Sequence, residues 1–210
     1  MIKIFITLLL SMKAFAGGAV GNGGGFVPCN QKLYSYDYLM TSTQSFGRDI
    51  PVINLIQSAQ YIAANLQRLN DPLAQEFIEF FSILYTQIPG KKFRWFQQKD
   101  LRLMYEPDLE KLLPVGCRSR KQAVYFFPPF AGVPYSSYKY DPDLISLVQS
   151  QPEGVLQVSY LWVHEWLWNH FSRDNFLALA QFNRLLHSER LNTITQSEYS
   201  KIRSQLMTNK

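Results

Sequence analysis

Val163-His-Glu-Trp-Leu-Trp-Asn-His-Phe171 holds two of the chain's three histidines and a glutamate inside a very apolar run. An unpaired buried charge is strongly disfavoured, so His164 and Glu165 must be paired, metal-bound or directed into a cavity. On a wheel of about 100° per residue with Leu161 at zero, His164 falls near 300°, between Phe171 and Trp168. His170 falls at about 180°, while Glu165 and Asn169, near 40° and 80°, share a narrow polar strip. Almost every other direction is apolar, which describes a helix buried on most sides. Its polar groups must then find partners on neighbouring elements rather than in water.

Working outward, Ser150-Gln-Pro-Glu153 has capping-box spacing with a proline near the first turn and predicts a helix from there to about Phe171. Ser172 and Asp174 offer caps for a second helix ending near Ser188. Thr195 to Glu198 forms a further capping box for a terminal helix, so the chain closes with three helices. Upstream, Val52, Ile53, Ile56, Ala59, Ile62, Ala63 and Leu66 follow a helical rhythm, with Pro51 in the first turn and Asp49 as the cap. Asn70-Asp71-Pro72 ends that helix and opens another, in which Leu73, Phe77, Phe80, Phe81 and Leu84 form a core stripe. Phe93–Phe96, Leu101–Tyr105 and Ala123–Phe127 are short, aromatic and branched, as strands are. Tyr135–Tyr140 reads as a loop or an edge strand whose tyrosines suit a sugar or a peptide. The expected fold is α+β: a predominantly helical single domain over 34–210, with a small antiparallel sheet and a C-terminal three-helix region.

Residues 1–16 have a basic start, a short apolar core and a small-x-small end at Ala14 and Ala16, the pattern of a secretory signal peptide. The apolar part is too short to span a bilayer, and no other segment is long enough, so a membrane-spanning chain is not expected. Removing Lys3 and Lys13 lowers the formal charge from +5 to +3, that is 19 basic against 16 acidic side chains. That mild excess, with export to the periplasm or beyond, gives no reason to expect a nucleic-acid partner. Residues 17–33 read as a flexible glycine-rich arm. Gly17–Gly25 lacks the Gly-Lys-Ser/Thr of a phosphate loop. In an oxidising compartment Cys29 and Cys117 are expected to form a disulfide. Closing a loop of that size is worth about 4–5 kcal/mol in the chain-entropy model.

His164-Glu165 resembles the start of the His-Glu-x-x-His helix of zincin-type metallopeptidases, in which two histidines one turn apart bind zinc and the glutamate activates water. Trp168 stands where the second histidine belongs. The resemblance implies zinc as cofactor, Glu165 as the catalytic group, and His187 and Glu189 from the following helix completing a set with His164. Asn169, His170 and Arg184 would then lie in the surroundings of that site. The segment from about Tyr138 to Arg190, together with the glycine-rich start and Cys29, also resembles a family of secreted bacterial proteins. That likeness implies bacterial origin and export and conveys no activity.

Two further readings stand beside the zincin one. Glu165 among tryptophans suits acid catalysis on a cell-wall glycan, with Asp108 or Asp143 as second carboxylate, since Asp174 lies about 13.5 Å along the axis if the helix persists. Otherwise Glu165 pairs with His170 or an arginine, His164 makes one core hydrogen bond, and the domain is a structural or interaction module of the envelope. The corresponding partners are a peptide, a cell-wall substrate or an envelope protein.

Overall fold

The computed structural model describes residues 24–41, 47–51, 54–85, 91–102, 113–118, 120–129, 133–171 and 176–207. The expected leader and the first part of the glycine-rich arm lie outside the described residues. In chain order the elements are β1 (Gly25–Cys29), β2 (Lys32–Ser35), α1 (Tyr36–Thr41), α2 (Leu55–Arg68), α3 (Ala74–Ser82), β3 (Phe93–Gln97), β4 (Lys121–Gln122), β5 (Val124–Phe127), β6 (Ser136–Tyr140), α4 (Pro142–Gln149), α5 (Gly154–His170), α6 (Phe176–Leu186), a 3₁₀ turn (Glu189–Asn192) and α7 (Gln196–Met207). The architecture is mixed α+β.

Helix α5 carries the His-Glu stretch and is the central element. Every residue from Leu156 to Trp168 is buried, as a helix apolar on nearly all sides requires. It packs against α1, α2, α4, α6 and β2. Trp162 meets Trp95 of β3 edge-on at 5.0 Å and donates its indole N–H to the Tyr85 hydroxyl at 2.7 Å. Trp166 meets Phe77 of α3 edge-on at 4.8 Å. These rings belong to one hydrophobic cluster that takes in residues from Phe26 to Tyr199.

The α4–α5 junction differs from the expected single helix start. Ser150 closes α4 as its C-cap instead of opening α5, and Asp141 caps α4 by accepting from the Asp143 and Leu144 amides. Helix α5 begins after Glu153, whose φ of 61° is left-handed. At Gly154 a Cβ would run into the Val148 carbonyl, so the chain turns too tightly there for any side chain. Asn54, not Asp49, caps α2, accepting from the Gln57 amide at 2.9 Å. The Thr195–Glu198 capping box forms as the spacing predicts, with both reciprocal bonds in place. Helix α7 is tied back to the α2–α3 turn, where Asp71 accepts from the Tyr199 hydroxyl at 2.6 Å and from Arg203 Nε at 2.7 Å.

The described residues form two three-stranded sheets where one antiparallel sheet was expected. One, in the order β2-β1-β4, is antiparallel; the other, β3-β6-β5, is mixed, because β3 runs parallel to β6. Residues 98–135 separate those parallel partners, ample chain for the crossover that parallel pairing needs. Ser136–Tyr140 is therefore the middle strand, not a loop or an edge. Its alternation puts Ser136, Tyr138 and Tyr140 in the interior, with Tyr138 stacked on Trp95 at 4.4 Å. Leu101 and Arg102 are not in a strand, and 103–105 lie outside the described residues.

The second half of the expected arm is likewise not a flexible tail. Residues 25–29 and 32–35 are strands, with Phe26 and Val27 fully buried. The exposed edge of β2 is closed by side chains of the α4–α5 region: Gln151 accepts from the Leu33 amide and Gln157 from the Ser35 amide. Cys29, at the end of β1, is bonded to Cys117 as expected, across a sequence separation of 88. The disulfide fastens that sheet to the middle of the chain. Replacing Cys117 by serine should lower the unfolding free energy by about 4–5 kcal/mol in urea titrations. A loss below about 1 kcal/mol would show that strand pairing alone holds β1 in place.

Candidate functional site

His164 faces α1. Its Nδ1 lies 2.8 Å from both carboxylate oxygens of Asp37, and both residues are buried to about 2% exposure. Asn183 of α6 donates from Nδ2 to the same carboxylate at 2.6 Å and to the Tyr160 carbonyl at 2.9 Å. Burial pulls the imidazole down, yet the Asp37 charge and hydrogen bond, with Glu165 nearby, outweigh it and hold His164 above its ordinary value. The pair is a buried, hydrogen-bonded histidine–aspartate couple. Trp168 stacks on the imidazole at 5.2 Å. The residue in the place of a zincin's second histidine thus packs against the first as an aromatic wall for a cation. His164 Nε2 has no hydrogen-bond partner among the described residues.

His187 does the opposite. Its Nδ1 lies 2.9 Å from the Asn183 carbonyl, which can only accept, so Nδ1 carries the proton and Nε2 accepts. The Ser159 hydroxyl donates to Nε2 at 2.8 Å, and Ser58 in turn donates to Ser159 at 2.6 Å. Tyr160 stacks on the imidazole at 4.0 Å. Burial pulls His187 down to about 4, partly countered by the Asn183 backbone bond. It is neutral, fully buried, and has both ring nitrogens in use.

These placements do not fit zinc. Both ring nitrogens of His187 are taken up by Asn183 and Ser159, and Glu189 is exposed at the surface while His187 is sealed. Among the described residues no group of three or more His, Cys, Asp or Glu side chains could hold a metal ion. The expected set of His164, His187 and Glu189 is thus not assembled. The physical reason is that α6 runs beside α5 but presents Asn183, not His187, towards His164.

Glu165 is buried to 2% exposure and packs where β1 begins: a Cβ at Gly24 would collide with its carboxylate oxygen and with Val124 Cβ. The Gly24 carbonyl accepts from the Ala123 and Val124 amides, so that backbone cannot withdraw to make room. Glu165 does not pair with His170, whose Nε2 forms an ion pair with Glu76; Glu76 also pairs with Lys92. Asn169 accepts from the Ser136 hydroxyl at 3.4 Å. Arg184 lies 3.1 Å from Asp49 and 3.3 Å from the Tyr160 hydroxyl. Asp143 pairs with Lys99 at the surface, at 2.6 Å. Asp108 and Asp174 lie outside the described residues.

The cavities are elsewhere. One of about 520 Å³ runs along α2 and α3, lined by Leu55, Ile56, Phe77, Phe81 and Tyr85 among others. Another, of about 510 Å³, is polar and lies beside Lys99, Arg120 and Asp143. Neither is lined by His164, Glu165 or His187. No protein-family model, curated protein or solved structure matches the chain.

Sequence reasoning missed Asp37 and Asn183. Asp37 stands alone between Tyr36 and Tyr38, and Asn183 interrupts an apolar helical run; an isolated polar residue in such a setting is the available signal.

Removing either member of the Asp37–His164 pair leaves a buried charge alone, so Asp37→Ala and His164→Ala should each cost about 3–5 kcal/mol. In a double-mutant cycle the pair should show strong coupling, and additive losses would contradict the ion pair. The pH dependence separates the two histidines. His187 has a folded value below its unfolded one, so its contribution is complete above about pH 6.5 and falls as pH drops towards 4, by about 3 kcal/mol in all. His164, with a raised folded value, contributes fully below about pH 6.5 and loses that contribution as pH rises through its folded value. His187→Phe should flatten the acid limb alone, measured by urea titrations from pH 4 to 9.

Proposed function

We propose that this chain is an exported, disulfide-stapled binding domain of the bacterial envelope, a non-enzymatic interaction protein. The observation that carries this reading is that the chemically promising residues of α5 and α6 are consumed in holding the core together. His187 has no free lone pair, His164 is held to Asp37 through Nδ1, and Glu165 is packed against Gly24. Zinc needs several lone pairs converging on one point, and among the described residues no group of three or more His, Cys, Asp or Glu side chains offers that. The disulfide supports an oxidising destination, and no helix among the described residues is long and apolar enough to cross a membrane.

The test is metal analysis of the oxidised protein purified without chelators. Zinc should be well below stoichiometric, and neither added zinc nor EDTA should move the thermal midpoint. One bound zinc per chain, lost in His164→Ala and His187→Ala, would restore the metallopeptidase reading. Peptidoglycan turnover abolished by Glu165→Gln in a folded protein would restore the glycan-hydrolase reading.

A further inference from the structure

The sheet β3-β6-β5 has an outer face whose composition the core does not explain. Alternation sends Trp95, Phe126, Tyr138 and Tyr140 inward, where they meet one another and the rings of Phe80 and Trp162. The opposite set is Arg94 and Phe96 on β3, Ser137 and Lys139 on β6, and Tyr125 and Phe127 on β5, all partly exposed. Register fixes how they adjoin: Phe96 and Tyr125 flank Lys139, and Arg94 and Phe127 flank Ser137. With neighbouring strands about 4.8 Å apart, aromatic rings and cations interleave on a patch about 10 Å wide.

Two observations point to a ligand. A solvated sheet face is ordinarily polar, whereas half of this set is aromatic. Phe96, Tyr125 and Phe127 belong to neither hydrophobic cluster of the interior. The second observation is charge. The set holds two cations and no acid, and the ion pairs among the described residues take in neither Arg94 nor Lys139. Each cation lies instead against an aromatic ring: the Arg94 guanidinium is 3.8 Å from the Tyr135 ring centre, and Lys139 Nζ is 5.4 Å from that of Phe127. Such a contact positions a charge without neutralising it.

Unneutralised cations call for an anion, and the rings call for a flat apolar face on the same ligand. A chain of alcohol phosphates offers charge without rings, and a neutral glycan offers rings without charge. An acidic peptide carries its carboxylates on flexible stems and has nothing flat beside them. A polymer of uronic acids has both in every unit, a carboxylate on each sugar ring and a C–H face that covers an aromatic side chain. A single nucleic-acid strand also combines rings with charge, but an exported chain meets the glycan first. We propose that this outer face binds an anionic polysaccharide built of uronic acids, with Phe96, Tyr125 and Phe127 under sugar rings and Arg94 and Lys139 on carboxylates. This rests on the binding-domain reading above and names the class of ligand for it.

The experiment is an NMR titration of the oxidised protein, with labelled phenylalanine and tyrosine rings, against hexagalacturonate, hexamannuronate, maltohexaose and an oligothymidylate. At least one uronate should saturably shift the Phe96, Tyr125 and Phe127 rings, about tenfold more weakly at about 200 mM salt than at about 20 mM, and maltohexaose should not. Phe127→Ala and Lys139→Ala should each weaken binding by about tenfold with the remaining spectrum unchanged. Lys201→Ala, at an exposed position on α7, should leave it as it was. No ring shift with either uronate, binding unchanged in both face variants, or equal losses in the Lys139 and Lys201 variants would overturn the proposal. So would oligothymidylate bound more tightly than either uronate. Mass spectra of the recovered hexamers separate the site from the reading it rests on. A hexamer that binds and is cleaved overturns the non-enzymatic reading and leaves the face in place, whereas an intact, unbound hexamer overturns the face alone.

Discussion

The ion pair between His164 and Asp37 is the constraint around which the rest of the structure is arranged. A cation on a helix buried from Leu156 to Trp168 is tolerable only if a carboxylate reaches it inside the core. Asp37 does so from α1, a helix of six residues too short to be stable by itself. The pair therefore both neutralises α5 and docks α1. Asn183 extends the arrangement to α6, with its amide on Asp37 and its carbonyl on His187. One residue thus links the charged histidine to the neutral one.

The two buried histidines show how environment decides chemistry. Desolvation lowers both, but His164 has a carboxylate within hydrogen-bond reach, whereas His187 has only a carbonyl and a hydroxyl. The first is pushed towards its charged form and the second is a neutral acceptor at the end of the Ser58–Ser159 chain. A shared metal would need lone pairs of both imidazoles converging, and His187 has none to offer because both its ring nitrogens are engaged. The tryptophan at the fourth position after His164 is consistent with this outcome: it stacks on a cation and does not join it in binding another.

Legibility in the sequence followed the range of the interactions. Elements set by local spacing read well: the Thr195–Glu198 capping box, the helical rhythm that buries Ile62 and Leu66 of α2, the strands at Phe93 and Val124. The requirement that His164 and Glu165 be satisfied from other elements was also legible, because a polar residue on an apolar helix admits few outcomes. Which elements supply the partners was not. Asp37 is 127 residues from His164, and nothing local marks it as a partner. Ser136–Tyr140 misled for a related reason: serine and lysine at alternate positions suit an edge, but Phe93–Gln97 pairs on one side and Val124–Phe127 on the other. Gly24 and Gly25 misled in the same way. Glycine reads as freedom in a sequence, yet here the missing side chains let β1 press against Glu165 and Arg120.

A helix enclosed along its flanks can act on a ligand only through its ends. The C-terminal end of α5 is closed by Asn169 on Ser136 and by His170 on Glu76, with Lys92 neutralising the same carboxylate. Those contacts leave little unmatched polarity there. The N-terminal end is different: Glu153 is exposed, and its carbonyl but not its side chain accepts from a helix amide. Tyr160 connects that end to the interior, its hydroxyl on Asp49 and its ring on His187. Burial of the His-Glu unit and openness at Glu153 are two consequences of the same packing around α5.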